Sequence, residues 1–162
     1  MQEYLAKTLQ GLEGVLADEL KALGAKDIEI QRRAVSFKGD KKILYKANFW
    51  LRTALRILKP VAVFKVNSPD DVYTEIKKLK LEEFITANKT FSIDTTVYSE
   101  QINHSRYVTY KAKDAIVDYF TEKYGKRPSV SVANPDIYFN LHISHTTCTL
   151  SLDSSGAPLF KR

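Results

Sequence analysis

A chain of 162 residues with 44% hydrophobic and 27% charged residues has the balance of a globular protein, large enough for one medium domain or two small ones, and this excludes a disordered segment. No apolar run approaches the roughly 20 residues of a membrane span, the start MQEYLAKTLQGLEG has neither region of a secretory leader, and a single cysteine, Cys148, excludes an internal disulfide framework or a multi-cysteine zinc site. The formal charge of +6 belongs wholly to residues 1–66, which hold thirteen basic and seven acidic residues against twelve of each in 67–162; with a pI near 9.3 the chain is compatible with a polyanion such as nucleic acid or an anionic membrane.

In chain order, YLAKTL (4–9) reads as a strand. GLEGVLADELKALG follows as a helix with Leu12, Val15, Leu16, Leu20 and Leu23 on one face and Gly24 as its stop. IEIQRRAVSF holds two short strands, 28–31 and 34–37, joined near Arg32-Arg33. Gly39-Asp40 supplies a turn and an N-cap for a second helix from about Lys41 to Leu51, with Ile43, Leu44, Ala47 and Trp50 expected inward. RILKPVAVFKV reads as a strand whose Pro60 suggests an edge or a bulge. The order βαββαβ is the ferredoxin-like plan, two helices on one face of a four-stranded antiparallel sheet.

NSPDD (67–71) marks a boundary, with Ser68 as N-cap, Pro69 at the first helical position, and Asp70 and Asp71 complementing the helix dipole. A helix to about Leu79 and a shorter helical piece at LEEFI come next. TFSIDTTVY alternates as a half-buried strand. NHSRYVTYKAKDAIVDYF opens a long helix, 105–124, closed by Gly125 with Pro128 beyond. SVSVA makes a short strand, and the last two strands carry Ile137, Phe139, Leu141 and Ile143, then Cys148, Leu150 and Leu152, around a turn at SHTT. The expected class is α+β: a ferredoxin-like domain, 1–66, followed by a second α/β unit, 67–162.

Candidates for catalysis are thin. His142, His145 and Cys148 recur every three residues, but on the strand reading they point to a polar face, a turn and the core, so no metal site is expected. No nucleophile with a base, no acid/base pair and no cofactor loop is evident, and no catalytic, cofactor-binding or metal-binding residue is assigned. GLEG lacks the length, Lys and Ser/Thr of a P-loop, and its glycines suit a tight strand-to-helix turn. His104 reads as a solvated residue before the long helix, or one that meets phosphate.

Basic residues carry more information. Between 101 and 113 there is no acid, yet the start of the long helix carries Arg106, Tyr107, Tyr110, Lys111 and Lys113. Cations there oppose the helix dipole. Arg106, Tyr110 and Lys113 share one stripe, Val108, Ala112, Ala115, Ile116 and Tyr119 form the buried one, and Asp114 and Asp118 occupy a third sector. Free N–H groups plus cations and a tyrosine suit a phosphate backbone. The competing reading is a solubilised helix with Lys111 paired to Asp114 or Asp118. A second basic group comprises Arg32, Arg33, Lys38, Lys41, Lys42 and Lys46, with Lys42 and Lys46 four apart on the second helix; several of these also fit charges that discourage edge pairing. Membrane binding is the weaker reading, because no helix combines this charge with an expected exposed apolar face.

The segments GLEGVLADELKALGA, VSFKGD, LRTALRIL, YKAKDAIVDYF, RPSV with NPDI, and TLSLDSSG, in this order and spacing, resemble the N-terminal half of large-subunit rRNA guanine-N2 methyltransferases, which pair a ferredoxin-like domain with a THUMP domain. The resemblance runs nearly end to end. It implies that the two domains bind structured RNA while a separate Rossmann-like domain uses S-adenosylmethionine. It places the KxKDAI segment of the THUMP domain on Lys111, Lys113, Asp114, Ala115 and Ile116, which favours Lys111 and Lys113 as RNA-facing and Asp114 as structural. NPDIY lacks the second proline of the family's catalytic Asn-Pro-Pro-Tyr-like motif, so this chain, ending at LFKR, is expected to be a non-catalytic piece of a cytoplasmic rRNA methyltransferase whose catalytic domain follows. The expected RNA-binding residues are Arg106, Tyr110, Lys111, Lys113, Arg32, Arg33, Lys42 and Lys46. The RNA-binding half of a tRNA-methylating or tRNA-thiolating enzyme is an alternative, as is a small-ligand regulatory domain on a ferredoxin-like scaffold.

Overall fold

Alternation puts Tyr4 and Ala6 of the first strand, β1 (Gln2–Lys7), into the core. The strand begins and ends two residues earlier than YLAKTL, because its ladder starts at the Gln2–Gly39 pair. These are the coordinates of a computed structural model, which describes residues 2–154. The end of TLSLDSSG and the terminal LFKR lie outside the described residues. Chain contacts divide the described residues into two units, 2–60 with 153–154, and Val61–Leu152.

In the first unit, β1 is followed by α1 (Glu13–Leu23), β2 (Lys26–Gln31), β3 (Ala34–Gly39), α2 (Lys41–Trp50) and the first half of β4 (Arg56–Lys65). The strand order is β2-β3-β1-β4, with antiparallel neighbours throughout. That is the ferredoxin-like arrangement expected from the element order. Leu16, Ala17 and Leu20 of α1 and Ala47 of α2 pack with Val35, Phe37 and Ile57 of the sheet. Gly24 ends α1 at φ 94°, a left-handed conformation that costs glycine nothing. Asp40 caps α2 by accepting the Ile43 N–H at 2.9 Å. Gly39 is needed there for space: a Cβ would stand 2.7 Å from Ile43. Pro60 lies beyond the β1–β4 ladder, which ends at Leu58, so its missing N–H costs that ladder nothing.

Two expected core residues face solvent. Val15 is half exposed, because Leu16, Ala17 and Leu20 fill the narrow seam and Val15 lies about 100° round the helix from Leu16. Trp50 is exposed as well. The chain leaves the helix directly after it, and Leu51, in extended conformation, turns into the core in its place.

In the second unit, the end of β4 leads to α3 (Pro69–Lys77), a single 3-10 turn (Leu81–Glu83), β5 (Thr90–Tyr98), α4 (Ser105–Tyr124), β6 (Ser129–Val130), β7 (Ile137–Ser144) and β8 (Thr147–Asp153). β5 runs parallel to both β6 and β7, and β7 pairs antiparallel with β8. Leu141 faces Leu150 and Ile143 faces Cys148 across the last ladder. This inner face meets Val108, Ala112, Ala115, Ile116 and Phe120 of α4 and Val72 and Ile76 of α3. Burial pushes the Cys148 thiol up to about 12. Ser68 occupies the N-cap position of α3, but its side chain makes no capping bond. The Asp71 carboxylate instead accepts the Asn67 N–H at 2.7 Å, tying the helix start to the preceding residues.

Candidate nucleic-acid interface

The loop before α4 is pinned from within. Ser99 Oγ accepts the Gln101 and Ile102 N–H groups, and Ile102 is buried. On the helix, the Thr109 hydroxyl meets Thr95 of β5 at 2.7 Å and the Ser105 carbonyl at 2.9 Å. The start of α4 is therefore fixed to the sheet while its outer side is free. His104 stands at the N-cap without a side-chain capping bond, and the first turn holds no acid. The first helical N–H groups have no partner further back in the helix. Among the described residues nothing caps them, so positive potential reaches solvent there.

Arg106, Tyr107 and Tyr110 are exposed around this start and Lys113 is half-buried. Arg106 has no charged partner among the described residues, and Lys113 has only the adjacent Asp114, at 3.7 Å with both side chains about half exposed. Such a contact is worth little. Lys111 is different. Its ammonium lies 2.9 Å from Asp70 on α3 and 5.4 Å from the centroid of the Tyr107 ring. The hydrogen bond to Asp70 raises its pKa. Neither Asp114 nor Asp118 is its partner: Asp118 accepts the Tyr73 hydroxyl at 2.7 Å and joins α4 to α3. The absence of acid between 101 and 113 thus holds along the chain but not in space, because the second unit's first helix supplies one.

The far end of α4 has the opposite character. Glu82 of the 3-10 turn accepts from the Tyr119 and Tyr124 hydroxyls and from Lys123. These donors, Lys123 first, hold the Glu82 carboxyl well below the usual carboxylate range. Unpaired cations on α4 are confined to its first three turns.

The basic residues of the first unit do not converge. Arg32 and Arg33 form the turn between β2 and β3, with Arg33 at φ 56° and its N–H held by Glu13 at 3.1 Å. Lys41 and Lys42 begin α2 at the other end of β3, which at about 3.3 Å per residue lies roughly 20 Å away. Lys38 pairs with Asp27 at 3.6 Å. Lys42 and Lys46 stay together on α2, and no ion pair engages them among the described residues. In the GLEG loop, the Glu13 carboxylate already takes the Gly11 N–H at 2.7 Å as well as that of Arg33. The Gly11 and Leu12 N–H groups are thus taken within the loop, the latter by the Leu9 carbonyl at 3.1 Å, which fits a structural turn. His142 lies against the Tyr98 ring, His145 is in the turn after β7 and Cys148 is buried; no group of three metal-ligating side chains forms among the described residues. No helix there is long and apolar enough to cross a membrane.

Asp70 escaped sequence reasoning because the contact joins two helices far apart in the chain. The only available signal was a charge at an exposed first-turn position, which the dipole alone explains. The geometry gathers Arg106, Tyr110 and Lys113 as donors on one stripe of a helix fixed to the sheet, an arrangement able to bind an oxyanion.

Family models decide the relationship. Residues 66–153 match the THUMP domain and residues 3–58 match the RlmL ferredoxin-like domain. The chain belongs to the THUMP-domain family. It is 41% identical over 160 residues to a ribosomal RNA large subunit methyltransferase K/L of Syntrophotalea carbinolica, covering 99% of this chain and 22% of that protein. It is 39% identical over 159 residues to a putative RNA methyltransferase of Synechocystis, covering 98% of this chain and 41% of that protein. It thus spans well under half the length of these curated relatives. Among solved structures, a protein described as a predicted N6-adenine-specific DNA methylase from Listeria monocytogenes superposes with a TM-score of 0.79 at 26% identity, over 97% of this chain and 41% of the other. The fold of this THUMP-family chain therefore recurs within a longer protein described as a methylase.

Proposed function

We propose that this chain is the RNA-recognition part of a cytoplasmic, S-adenosylmethionine-dependent methyltransferase that modifies guanine N2 of large-subunit rRNA. Residues 1–66 form its ferredoxin-like domain and 67–162 its THUMP domain; the methyl donor belongs to a catalytic domain in the length of the relatives that this chain does not span. The observation that carries the reading is the start of α4: uncapped N–H groups, no first-turn acid, and Arg106, Tyr110 and Lys113 on one stripe. The relatives named as rRNA and RNA methyltransferases support the substrate class. Phosphate contacts of this kind fix position and carry little sequence information. RNA shape and the catalytic domain then set the target.

Lys113→Ala and Arg106→Ala are each expected to weaken binding of a large-subunit rRNA fragment across sequences and to lower the salt slope by about one ion. Fluorescence anisotropy over a salt series measures both. Unchanged affinity and slope in the two variants would remove α4 from the interface. Preference for tRNA over the rRNA fragment in the same assay would move the substrate to tRNA.

A further inference from the structure

Helix α2 carries three aromatic rings that the core does not use, so the expectation that no helix joins basic charge to an exposed apolar face does not hold for it. Ile43, Leu44 and Ala47 pack inward, while Tyr45 is 73% exposed, Phe49 61% and Trp50 62%. The Tyr45 and Phe49 rings are 13° from parallel with centroids 6.5 Å apart, and Trp50 meets Phe49 edge-on at 5.1 Å. The three rings are one contiguous row rather than scattered side chains, and contiguous exposed apolar surface marks a binding site.

The charges on the same helix say what it fits. At roughly 100° per residue, Lys42 and Lys46 fall between Phe49 and Trp50 around the helix, and Lys41 flanks Tyr45 on its other side. α2 contains no acidic residue, and its lysines form no ion pair among the described residues. An apolar protein partner or a second copy of this chain would have to strip water from these cations. Single-stranded RNA meets both features at once, since bases stack on aromatic faces and the phosphates between them take the cations.

We propose that α2 is a stacking platform for a single-stranded RNA segment, two or three successive bases lying on Tyr45, Phe49 and Trp50 with their phosphates at Lys42 and Lys46. This rests on the RNA-binding reading above and adds to it a second contact of different chemistry. It also returns Lys42 and Lys46 to the RNA surface without Arg32 and Arg33.

Trp50 is the only tryptophan in the chain, so its fluorescence reports on the platform. Titration of the full chain with dodeca-adenylate and dodeca-uridylate should quench it saturably. Tyr45→Ala with Phe49→Ala should weaken oligonucleotide binding about tenfold or more, with far-UV circular dichroism and Tm unchanged. Arg106→Ala with Lys113→Ala should move the quench to higher oligonucleotide concentration while its amplitude at saturation stays the same. If RNA binds by mobility shift and responds to the α4 variants while Trp50 stays unquenched, the platform is wrong and the RNA reading stands. Failure of both oligonucleotides and an rRNA fragment to bind by either readout would sink the RNA reading together with the platform. Sedimentation showing self-association that Trp50→Ala abolishes would assign the face to a second copy and overturn the proposal.

Discussion

Lys111 shows how one side chain can share a helix with phosphate-binding candidates and still be engaged elsewhere. Its ammonium is held by Asp70 at 2.9 Å and packs over Tyr107, while Arg106, one turn earlier, is free of charged partners among the described residues. Asp70 is exposed, so the pair is screened and its energy is small. On the proposed RNA surface its effect would exceed its effect on stability, because a neutralised lysine releases no counterion when RNA binds. Asp70→Asn should therefore strengthen RNA binding, by roughly threefold on the scale of an exposed ion pair, and steepen the salt slope. Equal affinity and slope in wild type and variant would mean that Lys111 does not reach RNA. Along the chain, Lys111 and Lys113 look alike; only the neighbour from α3 separates them.

At the scale of the element, α4 is one helix with two jobs. Its first turns are fixed to β5 through Thr109 and Thr95 and present cations outward, and its last turns are closed by the Glu82 cluster. Because the folded Glu82 carboxyl titrates below its ordinary value of 4.5, it adds stability that is fully present above that pH and is lost as pH falls through the folded value. Tm measured from pH 7 down to pH 3.5 should fall below about pH 4.5, and Glu82→Gln should remove part of that fall while lowering Tm at pH 7. Equal profiles for the two proteins would show that the cluster contributes nothing to folding. The end of α4 was readable from Gly125 and the start of α2 from Asp40, since caps act through the few residues beside them. Trp50 was not: its inward period was correct for a continuing helix, and the helix ends there. The exposed pair Tyr45 and Phe49 carried a signal in their spacing of four, overshadowed by the stronger inward stripe of Ile43, Leu44 and Ala47.

For the whole molecule, the surplus of six positive charges in residues 1–66 does not coincide with the surface proposed on α4. Much of that charge is distributed over both ends of β3 or paired, as with Lys38 and Asp27, whereas the charge-balanced residues 67–162 present Arg106 and Lys113 on the first turns of α4. If Lys42, Lys46, Arg106 and Lys113 each neutralise one phosphate, log K against log salt should have a slope near about −3 for single-stranded RNA. The quadruple alanine variant should bring it close to zero. A wild-type slope shallower than about −1 would contradict a phosphate-based grip.

The two-part α+β architecture was legible along the chain, because hydrophobic period, turn residues and helix stops are local and agreed with one another. That α4 begins with cations and no acid was legible there too. Tertiary structure decided which of those cations remain available, through Asp70 from another helix, and which aromatic residues stay outside the core, through the turn of the chain at Leu51. Charge pairing and burial depend on neighbours distant in sequence, and a single chain's periodicity does not name those neighbours.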